Sequence, residues 1–225
     1  MVKKLDCLRR HSFYDIFDKD SVIVDLGGYK GQFSKYFAKR YPFKKIIIVE
    51  ANPGLIPTIQ NNLAGFSNIH VIQAAISASK EPRKEFFLNK GYCEASSVYP
   101  EIASVGGYRM DNGARVLKTH EIKQNSKIDV KSITLQDIYA YSNRISLLKM
   151  NIEGAEWDII ENFTDDDFRK IDQISVEFHD FMDKSLLTRT KHCIKKLSGL
   201  GYRYLTRPGD WGLETPYGDC VFYKE

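Results

Sequence analysis

Hydrophobic positions along this chain follow two rhythms that take turns. Ser21-Val22-Ile23-Val24-Asp25-Leu26, Lys45-Ile46-Ile47-Ile48-Val49-Glu50 and Ile69-His70-Val71-Ile72-Gln73-Ala74-Ala75-Ile76 are short runs, β-branched and apolar almost throughout. Such runs predict strands buried on both faces. Between the first two, Phe33, Phe37 and Tyr41 recur every fourth residue and Pro42 follows. That spacing predicts a helix from about Gly31. Asn52-Pro53 is a cap followed by proline at a first helical position, leading into Leu55, Ile56, Ile59 and Leu63. Strand, helix, strand, helix, strand with continuous apolar strands predicts an α/β fold with a parallel sheet covered on both faces.

Outside this unit the pattern is less uniform. Leu5, Leu8, Phe13, Ile16 and Phe17 sit at near-helical spacing, which predicts a helical lead-in over residues 1–20. Lys84 to Leu88 suits a strand. Residues 91–126 follow neither period and carry Tyr92, Tyr99, Tyr108, Arg109, Arg115, Lys118 and His120. An insertion of that length inside a compact domain suggests a functional loop, a lid or a locally disordered segment. Strands are then expected at Lys127 to Ile133, Ile145 to Ile152, Gln173 to Phe178, Tyr202 to Thr206 and Cys220 to Tyr223. Helices are expected around Leu135 to Tyr141 with Thr134 as cap, around Trp157, Ile160 and Phe163, and near Lys184 to Leu200. With no repeat and no low-complexity linker, residues 1–225 read as a single domain.

Composition narrows the class. The chain has 225 residues, 43% hydrophobic and 28% charged, enough for one core without disulfide or metal staples. Cys7, Cys93, Cys193 and Cys220 form no CxxC pair and suit reduced thiols. The charged N-terminus shows no signal peptide, and no run has the length of a membrane span, so a soluble cytoplasmic protein is expected. The net charge of +4 is spread among acids, unlike the basic stripe of a nucleic-acid binder. No His, Cys, Asp and Glu set has metal-ligand spacing.

Two strand ends carry candidate chemistry. The first strand closes on Asp25-Leu26-Gly27-Gly28-Tyr29-Lys30-Gly31, where glycines let a ligand approach bare backbone. The dinucleotide fingerprint is incomplete, because Leu26 stands where its first glycine would be. Asp25 would repel a pyrophosphate but suits a ligand with a cationic amine and a sulfonium, such as S-adenosyl-L-methionine. Glu50 closes the second strand, where an acid can accept hydrogen bonds from ribose hydroxyls. A nicotinamide-dependent oxidoreductase is the alternative from the same features, and a cofactor-binding protein without catalysis is another. The fourth expected strand runs into Asn151-Ile152-Glu153-Gly154-Ala155-Glu156. Those acids suit either a substrate at the sheet edge or the positive end of a helix dipole.

Taken in order, Asp25-Leu26-Gly27-Gly28-Tyr29-Lys30-Gly31, Val49-Glu50-Ala51-Asn52-Pro53, Ala74-Ala75-Ile76-Ser77, Leu148-Lys149-Met150-Asn151-Ile152-Glu153-Gly154-Ala155-Glu156 and Val176-Glu177-Phe178-His179 resemble the FkbM-type methyltransferases. The resemblance implies a Rossmann-like, doubly wound sheet of seven strands, mostly parallel with an antiparallel last strand. It implies S-adenosyl-L-methionine as cofactor, held along Asp25, Gly27, Gly28, Gly31, Glu50, Ala51, Ala74 and Ala75. It also implies O-methylation of a small-molecule or glycan acceptor. The chain departs from the family in having Gly27-Gly28-Tyr29 for Gly-Ala-Asn, and Asn151 for aspartate. Asn151, Glu153 and His179 fall at the presumed reaction edge. His179 has the right type for a general base, or is a strand-end histidine satisfied by backbone.

Overall fold

The computed structural model describes residues 4–8, 11–42, 44–89, 95–111, 114–119, 126–208 and 216–224. A hairpin of β1 (Leu5–Leu8) and β2 (His11–Tyr14) comes first. The predicted alternation follows as β3 (Val22–Leu26), α1 (Gln32–Arg40), β4 (Lys45–Glu50), α2 (Ile56–Asn62) and β5 (Ile69–Gln73). Asn52 caps the turn before α2 by accepting the Gly54 N–H at 3.0 Å. β6 (Ala75–Ile76) and β7 (Arg83–Phe87) precede a short helix, α3 (Pro100–Ala103), and a second hairpin, β8 (Val105–Asp111) with β9 (Ala114–Thr119). Then come β10 (Lys127–Ile133), α4 (Leu135–Tyr139), β11 (Leu147–Met150), α5 (Glu156–Asn162), α6 (Asp165–Arg169), β12 (Gln173–Val176), α7 (Leu187–Gly199), β13 (Arg203–Arg207) and β14 (Asp219–Tyr223).

The main sheet has seven strands in the order β13-β14-β12-β11-β3-β4-β5. β5, β4, β3, β11 and β12 are parallel, and β14 enters antiparallel between β12 and β13. The last strand is therefore the antiparallel one, in a Rossmann-like α/β sheet. Successive residues of each strand face opposite sides. Ile23, Ile46, Ile48 and Leu147 pack with Phe33 and Phe37 of α1 and Ile59 of α2. Val22, Val24, Leu26, Ile47, Val49, Leu148 and Met150 pack on the opposite face with Trp157 and Ile160 of α5 and Ile194 and Leu197 of α7. This two-sided burial is why the strands read as unbroken apolar runs.

One register row on the α1 face is polar. Asp25 pairs with Lys149, and Lys149 with Ser175, in adjacent strands. All three are buried. Lys149 Nζ lies 3.0 Å from Asp25 Oδ1, and Ser34 of α1 donates to Asp25 Oδ2 at 2.7 Å. A buried lysine so placed is held by its partner rather than reaching beyond the sheet.

Three expectations are corrected. The N-terminal segment is the β1–β2 hairpin rather than a helix. Its apolar spacing was outweighed by tertiary bonds that demand extended backbone. Ser12 donates to Asp219 through N–H (3.0 Å) and hydroxyl (2.5 Å), and the Tyr14 N–H donates to Gln173 at 2.7 Å. The run Ile69 to Ile76 is two strands. Ala74 bonds back to Glu50, after which Ala75–Ile76 leaves for β10 in a separate three-stranded sheet, β6-β10-β7. Residues 91–126 contain α3 and the β8–β9 hairpin, whose register shifts between Val105 and Tyr108 and so blurs any period of two. Tyr92, Cys93, His120 and Trp211 lie outside the described residues.

The turn after β3 is sterically exacting. Gly27 has φ 77°, and a Cβ there would lie 1.8 Å from the Asn151 carbonyl oxygen. A Cβ on Gly28 would lie 2.3 Å from Ile48 Cγ2. Gly27→Ala is expected to lower stability by more than about 3 kcal/mol, combining the left-handed penalty with displacement of the neighbouring turn. Urea unfolding of the variant beside the parent chain measures it.

Candidate functional site

Ligands of open α/β sheets bind beyond the carboxyl ends of the strands where connections diverge. A cavity of about 180 Å³ lies there, between the turns that follow β3, β4, β5 and β11. One wall is Gly27, Gly28, Tyr29 and Glu50. A second is apolar, formed by Ala51, Leu55, Ala74, Ala75, Ile76 and Phe86. The third joins Lys149, Asn151, Ile152 and Glu153 to Phe33 and to His11 of the hairpin. Ser96 and Val98 of the insertion complete the lining.

Glu50 is buried, and both its oxygens accept backbone N–H groups, from Tyr29 at 2.8 Å and Asn52 at 2.7 Å. Burial pushes its carboxyl above the ordinary value, with the two N–H groups and Lys149 opposing. It thus ties the turn after β3 to the turn after β4 and still faces the cavity. The carboxylate is an acceptor fixed in place, as a ribose diol requires.

Asp25 is placed differently from its expected role. It is fully buried and is not among the cavity's lining residues. Its charge is met by Lys149, which also donates to the carbonyls of Leu26 (3.2 Å) and Gly27 (2.7 Å). Asp25 therefore acts behind the glycine turn, by holding the lysine that holds the turn. Its place at a strand end points toward a ligand, and Lys149, distant in sequence, is what turns it to a supporting position. Gly31 also stands back from the cavity. It begins α1 with φ 78° and packs against Leu63 and Ile59.

At the other side two acids and a histidine gather. Glu153 has φ 51°, rare for a residue with a side chain. Its Oε2 lies 3.1 Å from His179 Nε2, and its side chain keeps 20% exposure. His179 is buried and does not line the cavity, so Glu153 stands between the imidazole and the space a substrate would take. The other ring nitrogen, Nδ1, lies 3.2 Å from Glu156 Oε1, within ion-pair range though not aligned as a hydrogen bond. Burial alone would lower the imidazole's pKa, but Glu153 and Glu156 outweigh it and hold it well above its ordinary value. Glu156 is fully buried and accepts the N–H groups of Ile152 (2.8 Å) and Gly154 (2.9 Å). It locks the turn that carries Glu153.

Asn151 donates through Nδ2 to Glu177 at 2.9 Å. An aspartate at this position would set two carboxylates side by side, so the amide removes that repulsion. Its Oδ1 is buried on the cavity wall without a hydrogen-bond partner among the described residues. A buried acceptor of this kind is what a ligand's donor group would satisfy. With the bare backbone at Gly27 and Gly28, it makes the cavity fit a polar, nucleoside-sized group.

The model of the methyltransferase FkbM domain matches residues 25–204. Over 204 residues the chain is 26% identical to Methyltransferase 1 of Beauveria bassiana (strain ARSEF 2860), covering 88% of this chain and 79% of that protein. It is 27% identical over 185 residues to Methyltransferase sdnD of Sordaria araneosa, covering 73% of this chain and 69% of that one. In structure it is similar to the fibrillarin pre-rRNA processing protein of Methanococcus jannaschii, with a TM-score of 0.51 at 13% identity, over 99% of this chain and 71% of that one. The structural likeness concerns the fold alone. The oxidoreductase alternative finds no counterpart in these matches. With its glycine turn, its Glu50 and its Asn151–Glu156 turn all inside the matched span, this chain belongs to the FkbM methyltransferase domain family.

Proposed function

We propose that this methyltransferase uses S-adenosyl-L-methionine to methylate a hydroxyl of a sugar, glycan precursor or other small natural product. The observation that carries the reading is that the glycine turn, Glu50 and Glu153 line one cavity. Gly27 and Gly28 would hold the cofactor by bare backbone, and Glu50 would accept from its ribose hydroxyls. Ala51, Leu55, Ala74, Ala75, Ile76 and Phe86 offer an apolar slot suited to a purine. Bound there, the cofactor supplies an electrophilic methyl group.

The chain's own residues supply position and a proton acceptor. A hydroxyl is a poor nucleophile until its proton is taken, which calls for a base in contact with it. Glu153 is the cavity-facing group and would accept that proton, while His179 and Glu156 orient its carboxylate from behind. This pair favours oxygen over an amine, which needs less help to attack. Ser96 and Val98 extend the insertion into the cavity wall, which supports residues 91–126 as the acceptor selector. The modest, dispersed charge supports a small acceptor rather than a nucleic acid. Among the described residues no helix is long and apolar enough to cross a membrane.

Three outcomes follow. Isothermal calorimetry with S-adenosyl-L-methionine or its demethylated product gives saturable binding, and Glu50→Ala weakens it about tenfold or more, as loss of hydrogen bonds to a buried carboxylate requires. No binding by the folded parent chain would overturn the reading. Glu153→Gln keeps cofactor affinity and lowers turnover about a hundredfold or more, measured by methyl transfer across a panel of hydroxylated acceptors. The third concerns pH. A histidine whose folded pKa is raised stabilises the fold below its unfolded value, and loses that contribution as pH rises through the folded value. The thermal-stability advantage of the parent over His179→Gln therefore shrinks as pH climbs above about 6.5. Turnover climbs only at higher pH, as His179 itself loses its proton at its raised folded value and releases the Glu153 carboxylate from the ion pair.

A further inference from the structure

Ser97 lies in the insertion, far in sequence from Glu153, yet the two are directly bonded. Its backbone is pinned to β7, donating to the Phe87 carbonyl at 3.1 Å and accepting from the Phe87 N–H at 2.7 Å. Its side chain is fully buried. The hydroxyl accepts the Tyr99 N–H at 3.0 Å and donates to the Glu153 carbonyl at 2.6 Å. That carbonyl belongs to the residue with φ 51°, a conformation that persists in an L-residue only when its surroundings impose it.

The same segment grips the next residue. A Cβ on Gly154 would lie 1.8 Å from Ile102 Cδ1 and 3.6 Å from Tyr99 Cδ2, so α3 and Tyr99 pack directly onto the turn. The Tyr99 hydroxyl donates to Asp158 of α5, whose other oxygen accepts from Arg189 of α7 at 2.7 Å. Residues 97–102 therefore hold the Glu153–Gly154 turn at a carbonyl, at a Cα and at the helix that follows.

We propose that Ser97 is a positioning residue, fixing Glu153 in the left-handed conformation that sets its carboxylate between the cavity and His179. The insertion that offers Ser96 and Val98 to the cavity thereby also sets the proton-handling pair. This rests on the reading of Glu153 and His179 given above, but its test needs no turnover. The groups around the imidazole are Glu153 from the turn after β11, Glu156 from α5, the adjacent Asp180, and the Phe181 ring at 5.4 Å. Of these, Ser97 touches only the first.

The experiment is an NMR titration of the His179 imidazole in the full chain, for the parent, Ser97→Ala, Ser97→Thr and Glu153→Gln. Ser97→Ala lowers the His179 midpoint by more than about half a pH unit, in the direction that Glu153→Gln moves it. Ser97→Thr keeps the hydroxyl and stays near the parent value. A folded Ser97→Ala with the parent midpoint overturns the proposal, as does a Ser97→Thr that shifts as far as the alanine variant. Should Ser97→Ala not fold, Ser97→Cys carries the same expectation, since a thiol is a poorer donor to the carbonyl. Calorimetry separates the two readings. Lost cofactor binding with a responsive titration removes the methyl-transfer reading alone. An unresponsive titration with intact binding removes the role of Ser97 alone.

Discussion

The turns after β3 and β11 pass so close that the carbonyl oxygen of Asn151 occupies the place where a side chain on Gly27 would start, 1.8 Å from its Cβ position. Everything at the site is arranged around that contact. Because the turns touch, Lys149 can reach from one strand to the carbonyls of Leu26 and Gly27 on the other. Because Lys149 is buried there, Asp25 must stand beside it. A lone ammonium at that depth would be costly, and removing either partner leaves the other uncompensated. The glycine turn is thus shaped from below by an ion pair and from the side by Glu50, which fastens it to the next strand end.

The opposite half of the cavity uses a comparable device with the charges reversed. Glu156 collects two N–H groups of the turn after β11, and His179 sits between Glu156 and Glu153. The left-handed Glu153 would be a liability in isolation. It is stabilised by Glu156 from inside and by Ser97 and Tyr99 from the insertion. The turn that carries Glu153 is held by polar contacts from three separate segments of the chain, and a buried network of that kind is rigid only while every member has its partner.

Much of this was legible in the sequence. β3, β4, β11 and β12 lie within predicted apolar runs, because burial on both faces leaves a signal that needs no partner to be read. Glu50 and Glu153 stand out in the sequence by their place at strand ends, and both line the cavity. What could not be read were relations between distant segments. The β1–β2 hairpin is held because Asp219 and Gln173 bond to β2, and the local spacing of Leu5, Leu8 and Phe13 points to a helix instead. Asp25 looks like a ligand contact from its strand end, and its pairing with Lys149, distant in sequence, is visible only in the fold. His179 has the type of a base, but it is buried with Glu153 between it and the cavity, a placement its strand-end position does not reveal. His11 and Ser97 were missed altogether. Neither belongs to a motif, and only the tertiary fold brings one to the cavity and the other to Glu153.

The order of strands also governs how the sheet is assembled. Among the described residues β13 pairs with β14 alone, and β14 lies between β13 and β12. During synthesis at about 5–20 residues per second, β13 must therefore wait unpaired until Asp219–Tyr223 has emerged. The same strand brings Asp219, which secures Ser12 of the hairpin near the chain's start. One late strand thus closes two unfinished edges at once. Final docking of the hairpin is coupled to completion of the sheet, and a nascent chain short of β14 exposes an edge on β12 that invites mispairing.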